Sequence, residues 1–538
     1  MSTTPADGAT APAARKLPPV LGRLLSGTFW LALRTPLQAV FALWTFPLTL
    51  QAFGPKLTGA YFFAWGFGFF QMLFELGMSS ALQRQVAESY TRGDRAGVDR
   101  AIACGMNFYA GMALVQSAAL LVVAYLVLPH FPFTGESARL IVKLLWLQAL
   151  TAPFFGLSAV VSSVLQAARR YDFQPRFELA VVVLRFAVLW AGISAGVGLF
   201  AIVVTQTVLQ IGLALGPSLW VMVYEIGHVP RFRGAGAADY RALAHISVFV
   251  FMIQLSVVMA DKLDTIILGY VLNEAAIDVY YLVSKPFLQI RQTGWMLAYL
   301  VMPAVASLVA ARDERALDRL KYDGTRLHVA SVLPVALLAW VYAGPFLTLW
   351  VGNELGYDAA RHAGLLRLFL VATIPLVLSV PVQMVIGMNR PKVIGVAALA
   401  GAMVNLPLSY VLTVKLGVAG VIWGTVLTTL FSNLLVPGVY AARVLEVRPR
   451  RFLVRTLSAP AAGGLALVAA AAALRWAWPL APRPTGGLSL LRWLPLAAHL
   501  AIGCLAYGAG YLAVPVGRAD LVEFAGRLWR GAGATEAG

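Results

Sequence analysis

GVAGVIWGTVLTT (417–429) and GVGLFAIVVTQTV (196–208) are the stretches that decide the fold. Each opens on a glycine and runs into a long apolar segment, and they lie about 220 residues apart. A second pair, FGPKLTGAYFFAWGF (53–67) and LGYVLNEAAIDVYYLVSK (268–285), recurs at a similar offset. Both pairs place glycine in a tight external turn and aromatics at the entry of the next helix. Two similarities at one offset predict an internal repeat, two six-helix halves in the same orientation about an axis normal to a membrane.

Outward from these stretches the whole chain is apolar. It is 60% hydrophobic and 12% charged, with a mean hydropathy of +0.77. Soluble domains carry about 25% charged residues. Only lipid absorbs this much apolar surface, and a spanning helix needs roughly 20 apolar residues. The pattern predicts an all-α polytopic membrane protein with about 14 transmembrane helices. Spans are expected at 26–52, 58–82, 101–128, 139–166, 177–195, 199–224, 244–271 and 277–309. Further spans follow at 327–351, 364–388, 393–414, 417–442, 456–478 and 490–515. The expected organisation is a disordered N-terminus (1–25), a first half (26–224), a second half (243–442), an appended hairpin (456–516) and a tail (517–538). The start of the chain has no apolar core ahead of a cleavage site, so no signal peptide is expected.

Of the 42 basic residues, 28 fall in alternate loops, including Arg84, Arg92, Arg170, Arg231, Arg315, Arg448 and Arg455. The opposite loops hold Lys56, Arg139, Arg361, Lys415, Arg475 and Arg483. Positive loops mark the cytoplasmic side, so both termini are expected in the cytoplasm, in a bacterial inner membrane. The net charge of +18 forms no continuous face, which argues against nucleic acid and for anionic headgroups as partners. Cys104 and Cys504 both fall inside spans and predict no disulfide. The chain has no phosphate-binding glycine loop, no His/Cys metal cluster and no nucleophile elbow. No metal, cofactor or catalytic residue is expected.

Three stretches resemble a known family. They are FELGMSSALQRQVAES (74–89), DTIILGYVLNEAAIDVYYLVSK (264–285) and VNLPLSYVLTVKLGVAGVIWGTVLT (404–428). They are similar to the second helix and to two helix hairpins of the polysaccharide (O-antigen and exopolysaccharide unit) flippases. That family belongs to the multidrug/oligosaccharidyl-lipid/polysaccharide exporter superfamily. Glu75 stands where the family pattern has Asp. The resemblance implies a transporter, not an enzyme, that moves polyprenyl-pyrophosphate-linked oligosaccharide units across the bilayer by alternating access. Other polysaccharide-assembly membrane proteins are implied as partners.

Charges inside the spans mark the candidate site. A charge near the bilayer centre costs roughly 2.5–3.5 kcal/mol on insertion scales. Lys143, Arg367 and Arg492 lie near span ends, where snorkelling accounts for them. Arg34, Arg185, Lys262, Lys285 and Arg291 lie deeper, with Asp261 and Asp264. Asp264 and Lys285 fall at similar depths, roughly 10–12 Å from their shared turn, so an ion pair is expected there. The surplus cations are expected to line a cavity, because guanidinium and ammonium groups suit a lipid-linked pyrophosphate. Asp261 and Asp264 serve either as ion-pair partners or as carriers of a coupling ion. Pro36, Pro47, Pro286, Pro303, Pro375 and Pro381 are expected bending points or static kinks. A flippase for the peptidoglycan lipid precursor, a multidrug cation antiporter and a membrane-embedded glycan polymerase or ligase remain as alternatives. The last lacks the large external loop it would need.

Overall fold

The computed structural model describes residues 19–68, 75, 78–168, 170, 173–237, 240, 263–299, 301–352, 358–388, 390–480 and 490–522. Among these residues the secondary structure is entirely helical. The first group is α1 (Pro19–Gly66), α2 (Met78–Thr91), α3 (Arg95–His130), α4 (Gly135–Ala167), α5 (Phe173–Ser194) and α6 (Leu199–Ile226). Next come α7 (263–271), α8 (Glu274–Tyr299), α9 (Val301–Ala310), α10 (Glu314–Val341) and α11 (Ala343–Val351). The chain continues through α12 (Ala359–Gly387), α13 (Lys392–Leu416), α14 (Val418–Val444), α15 (Pro449–Ala477), α16 (Leu494–Ala513) and α17 (515–522).

Ten helices among the described residues are long and apolar enough to cross a membrane. They coincide with ten of the expected spans. The other four expected spans fall on α1, α2, α7, α8 and α9, together with residues outside the described set. Hydropathy finds these helices because each spanning residue contributes its own transfer energy to lipid. The outer surface agrees. Leu114, Leu150, Leu465 and Leu505 are each more than 70% exposed, a state that water penalises and lipid does not. Tyr224 and Trp476, near the ends of α6 and α15, are also exposed, as interfacial aromatics are.

Two boundaries depart from the expected ones. The span expected at 327–351 begins at Glu314 and is broken at Tyr342, which leaves helical geometry (φ −97°, ψ 18°) between α10 and α11. Charged residues 314–326 continue the helix past the apolar run, because hydropathy sees the bilayer and not the hydrogen-bond ladder. In α1 the turn falls at Gly54 (φ 75°), a left-handed conformation that glycine adopts without strain.

The residues divide into two compact units. One is drawn from 1–41, 78–113 and 151–247, the other from 42–77, 114–150 and 248–538. The first buries a core of Leu82, Val86, Ile102, Val160, Val164 and Met222, contributed by α2, α3, α4 and α6. In the second, Leu338, Tyr342, Leu467, Leu496 and Tyr507 knit α10 to α15 and α16. Val305, Val380, Met384 and Ala441 join α9, α12 and α14. Cys104 is buried and Cys504 exposed, and both are free thiols.

Two of the similar stretches open on a glycine with positive φ. Gly196 (φ 68°) and Gly417 (φ 60°) are both left-handed, each just ahead of a helix, α6 and α14. The α13–α14 hairpin then closes on small residues. A Cβ at Gly420 would meet the Leu412 carbonyl oxygen at 2.1 Å, and one at Gly424 would meet Ser409 Oγ at 2.1 Å. Backbones approach this closely only where side chains are absent, the usual device of membrane helix packing.

Candidate functional site

Helix α8 carries two of the charges that the sequence singles out, Lys285 and Arg291. Asn273 accepts a hydrogen bond from the Ala276 amide (3.0 Å) and so caps the helix start. Downstream the helix holds Asp278, Lys285 and Arg291. Asp278 is fully buried. It lies seven residues from Lys285, on the same face and roughly 10 Å along the axis.

Lys285 and Arg291 are both half-buried and both rest on aromatic rings. The Lys285 ammonium lies 5.2 Å from the centroid of Tyr281 and 5.5 Å from that of Phe62. Those two rings stack on each other at 4.2 Å. Arg291 lies 5.5 Å from the Phe287 ring, which stacks on Phe369 of α12 at 4.2 Å. Each cation sits four residues after its ring, and helical side chains lean back toward the N-terminus, so the contact follows from spacing. Lys285 and Arg291 are six residues apart and point to different sides of α8, one toward α1 and the other toward α12. A ring face attracts a cation without neutralising it.

Asp264, on α7, is 1% exposed. Its Oδ2 accepts hydrogen bonds from the Tyr280 hydroxyl and from Thr425 Oγ1 of α14, each at 2.9 Å. It thereby joins α7, α8 and α14. Asn405 Oδ1 accepts from Ser409 Oγ of its own helix (2.9 Å) and from Thr428 Oγ1 (3.3 Å), the latter a polar tie between α13 and α14.

In the other compact unit, Arg185 of α5 donates to Gln210 Oε1 (3.1 Å), and Gln206 Nε2 donates to the Arg185 carbonyl (2.7 Å). The structure thus brings Asp264, Lys285 and Arg291 into one unit around α8 and holds Arg185 in the other. Arg34 falls on α1 with its side chain outside the described set, and Asp261 and Lys262 lie outside the described residues. Arg367, expected to snorkel, donates to the Trp340 carbonyl (3.2 Å) and lies over its ring. Sequence reasoning missed Asp278 and the Asp99 cluster. Asp99 accepts from Arg231 (2.8 Å) and contacts His228 Nδ1 (2.8 Å). No group of three or more His, Cys, Asp or Glu side chains suited to a metal occurs among the described residues.

Membrane-crossing helices, small-residue seams and buried charges define a multi-pass membrane protein. The likeness to solved structures gives that architecture its class. Lipid II flippase MurJ in an inward closed conformation superposes with a TM-score of 0.68 at 14% identity, over 93% of this chain and 100% of that one. An inward-facing multidrug resistance MATE family transporter of the MOP superfamily gives 0.56 at 14% identity, over 76% and 95%. A Vibrio cholerae MATE transporter gives 0.55 at 15% identity, over 80% and 98%. The fold is therefore that of the MOP superfamily. The polysaccharide biosynthesis protein family matches residues 64–355, and the chain belongs to that family. No curated protein sequence matches it.

Proposed function

We propose that this protein flips polyprenyl-pyrophosphate-linked oligosaccharide units from the cytoplasmic to the outer leaflet, by alternating access, for polysaccharide assembly. The observation that carries this reading is the pair of cations on α8, Lys285 and Arg291, each against an aromatic ring at an expected span of a polysaccharide biosynthesis protein. A cation held at membrane depth is costly, and an anionic ligand that meets it offsets that cost. A pyrophosphate-linked sugar is such an anion, and its polyprenyl tail would remain in lipid. Arg185 is a further candidate contact, as are Arg34 and Lys262, and Asp261 or Asp264 is a candidate for ion coupling. The protein would sit in the bacterial cytoplasmic membrane with both termini inside, alongside other polysaccharide-assembly proteins.

The fold likeness to a lipid II flippase favours a lipid-linked glycan over a soluble one. A peptidoglycan precursor is thus the nearest second reading. The family supports the oligosaccharide branch. The test is the sidedness of lipid-linked oligosaccharide in spheroplasts, read with an impermeant glycosidase with and without the gene. Glycan trapped inside without the protein and accessible with it supports flipping. Unchanged accessibility with short or unattached chains points to an enzyme acting after translocation. Replacing Arg185, Lys285 and Arg291 singly with Gln should cut the accessible fraction. Full transport by all three, at normal protein levels, removes the cationic-site reading.

A further inference from the structure

A groove of 740 Å³ opens at the charged ends of α10, α12, α14 and α15, within one compact unit and apart from the α8 site. Six cations line it: Arg315, Arg319, Lys321, Arg448, Arg451 and Arg455. Against them stand three carboxylates, Glu314, Asp318 and Glu446. The cations belong to two of the arginine-rich loops that the sequence assigns to the cytoplasmic face.

Three cations gather round one buried ring at the groove wall. Arg451, Lys321 and Arg455 lie 4.8, 5.0 and 5.5 Å from the Tyr322 centroid. Asp318 is shared between Lys321 (3.0 Å) and Arg451 (3.3 Å), so one carboxylate serves two cations. Arg455 pairs with Asp323 (2.8 Å). Arg315, Arg319 and Arg448 are exposed and have no carboxylate partner among the described residues. The groove keeps a net positive charge after its internal pairs are made. Its remaining lining is apolar, with the half-buried Met388 and Val444 lying over the buried Met384 and Leu445.

We propose that this groove is a binding site for the phosphate headgroup of an anionic membrane phospholipid, the phosphate on the free arginines and the adjoining chain against Met388 and Val444. Guanidinium donors match a phosphodiester's two free oxygens. The apolar strip beside the cations is what distinguishes a lipid from a soluble phosphate, which would have no use for it. The groove's place at the ends of spanning helices puts it at headgroup level, where each basic residue adds to the attraction for anionic lipid.

The test uses the full-length protein in detergent, read by native mass spectrometry with added phosphatidylglycerol or phosphatidylcholine. Wild type should retain phosphatidylglycerol selectively. The triple variant Arg315→Gln, Arg319→Gln, Arg448→Gln should weaken it by at least about tenfold, the size expected for lost charge-assisted hydrogen bonds. The matching Lys triple should keep binding, which separates lost charge from lost fold. A control that removes equal charge elsewhere, Arg92→Gln, Arg95→Gln, Lys392→Gln, should behave as wild type. Equal binding of phosphatidylcholine, or equal loss in the control, overturns the site. Displacement of the lipid by millimolar inorganic pyrophosphate overturns the lipid assignment in favour of a soluble phosphate. Binding is read without transport, so the result stands apart from the flippase reading.

Discussion

Asp264 shows what a single charge does inside this bundle. Its carboxylate accepts two buried hydroxyls, one from Tyr280 and one from Thr425. Truncation to Ala would leave both donors in a dry environment, a loss of about 1–3 kcal/mol for each group left unmet. Asp264→Ala is therefore expected to lower the thermal midpoint, followed by tryptophan fluorescence of the purified protein. Asp264→Asn keeps an acceptor oxygen and should lose less. Equal losses would place the stabilisation in the charge and not in the two hydrogen bonds. The sequence made Asp264, Lys285 and Arg291 visible because an ionised side chain stands out in an apolar run. It gave no hint of Thr425, 161 residues away, because hydroxyls are common in spans and satisfy themselves on their own helix. Asp278 carried the same signal as Asp264 and was overlooked near the start of its helix.

At the scale of elements, glycine stands at two places where backbones come close. Gly59 of α1 faces the Glu274 carbonyl oxygen, with 2.0 Å left for a Cβ, and Gly420 faces Leu412 across the α13–α14 turn. Backbone cannot move aside as a flexible side chain can. Gly59→Ala and Gly420→Ala are expected to cut the yield of monodisperse protein on size exclusion. Gly111→Ala, with nothing within 4 Å, should be neutral to about 0.5 kcal/mol. The prolines divide on inspection. Pro375 lies in a 3-10 stretch, Val371–Leu378, which interrupts α12, while Pro286 is carried inside α8. Proline removes one backbone donor in both places, and the surroundings decide whether the helix reorganises. The left-handed glycines at 196 and 417 were legible as turn positions, because a glycine opening an apolar run has few other uses.

For the molecule as a whole, the C-terminal end is fastened by charge. Arg326 of α10 is buried, with side-chain exposure of 4%. Its Nε donates to Asp520 of α17 (2.8 Å), and it also pairs with Asp323 (3.0 Å) and the Arg455 carbonyl (2.8 Å). The Tyr511 hydroxyl completes the set on Asp520. Removing one partner of a buried pair costs about 3–5 kcal/mol, whereas an apolar replacement of both is often neutral. Asp520→Ala should therefore lower the thermal midpoint sharply, and the double variant Arg326→Met, Asp520→Leu should recover most of it. A double variant as unstable as the single one would show that the clasp acts through its other partners.

The membrane class, the positions of ten spans and the arginine-rich loops were settled by sequence, because transfer of a side chain to lipid depends on that side chain alone. Twenty such residues in a row add up without reference to the rest of the chain. Only the tertiary structure decided that Lys285 and Arg291 rest on rings and face different helices, that Asp264 ties three helices together, and that two arginine-rich loops meet in one groove. Tertiary contacts in this chain join residues as far apart as Leu43 and Trp350, 307 positions. Many polar groups in the chain could serve such a role, and only packing selects which one arrives.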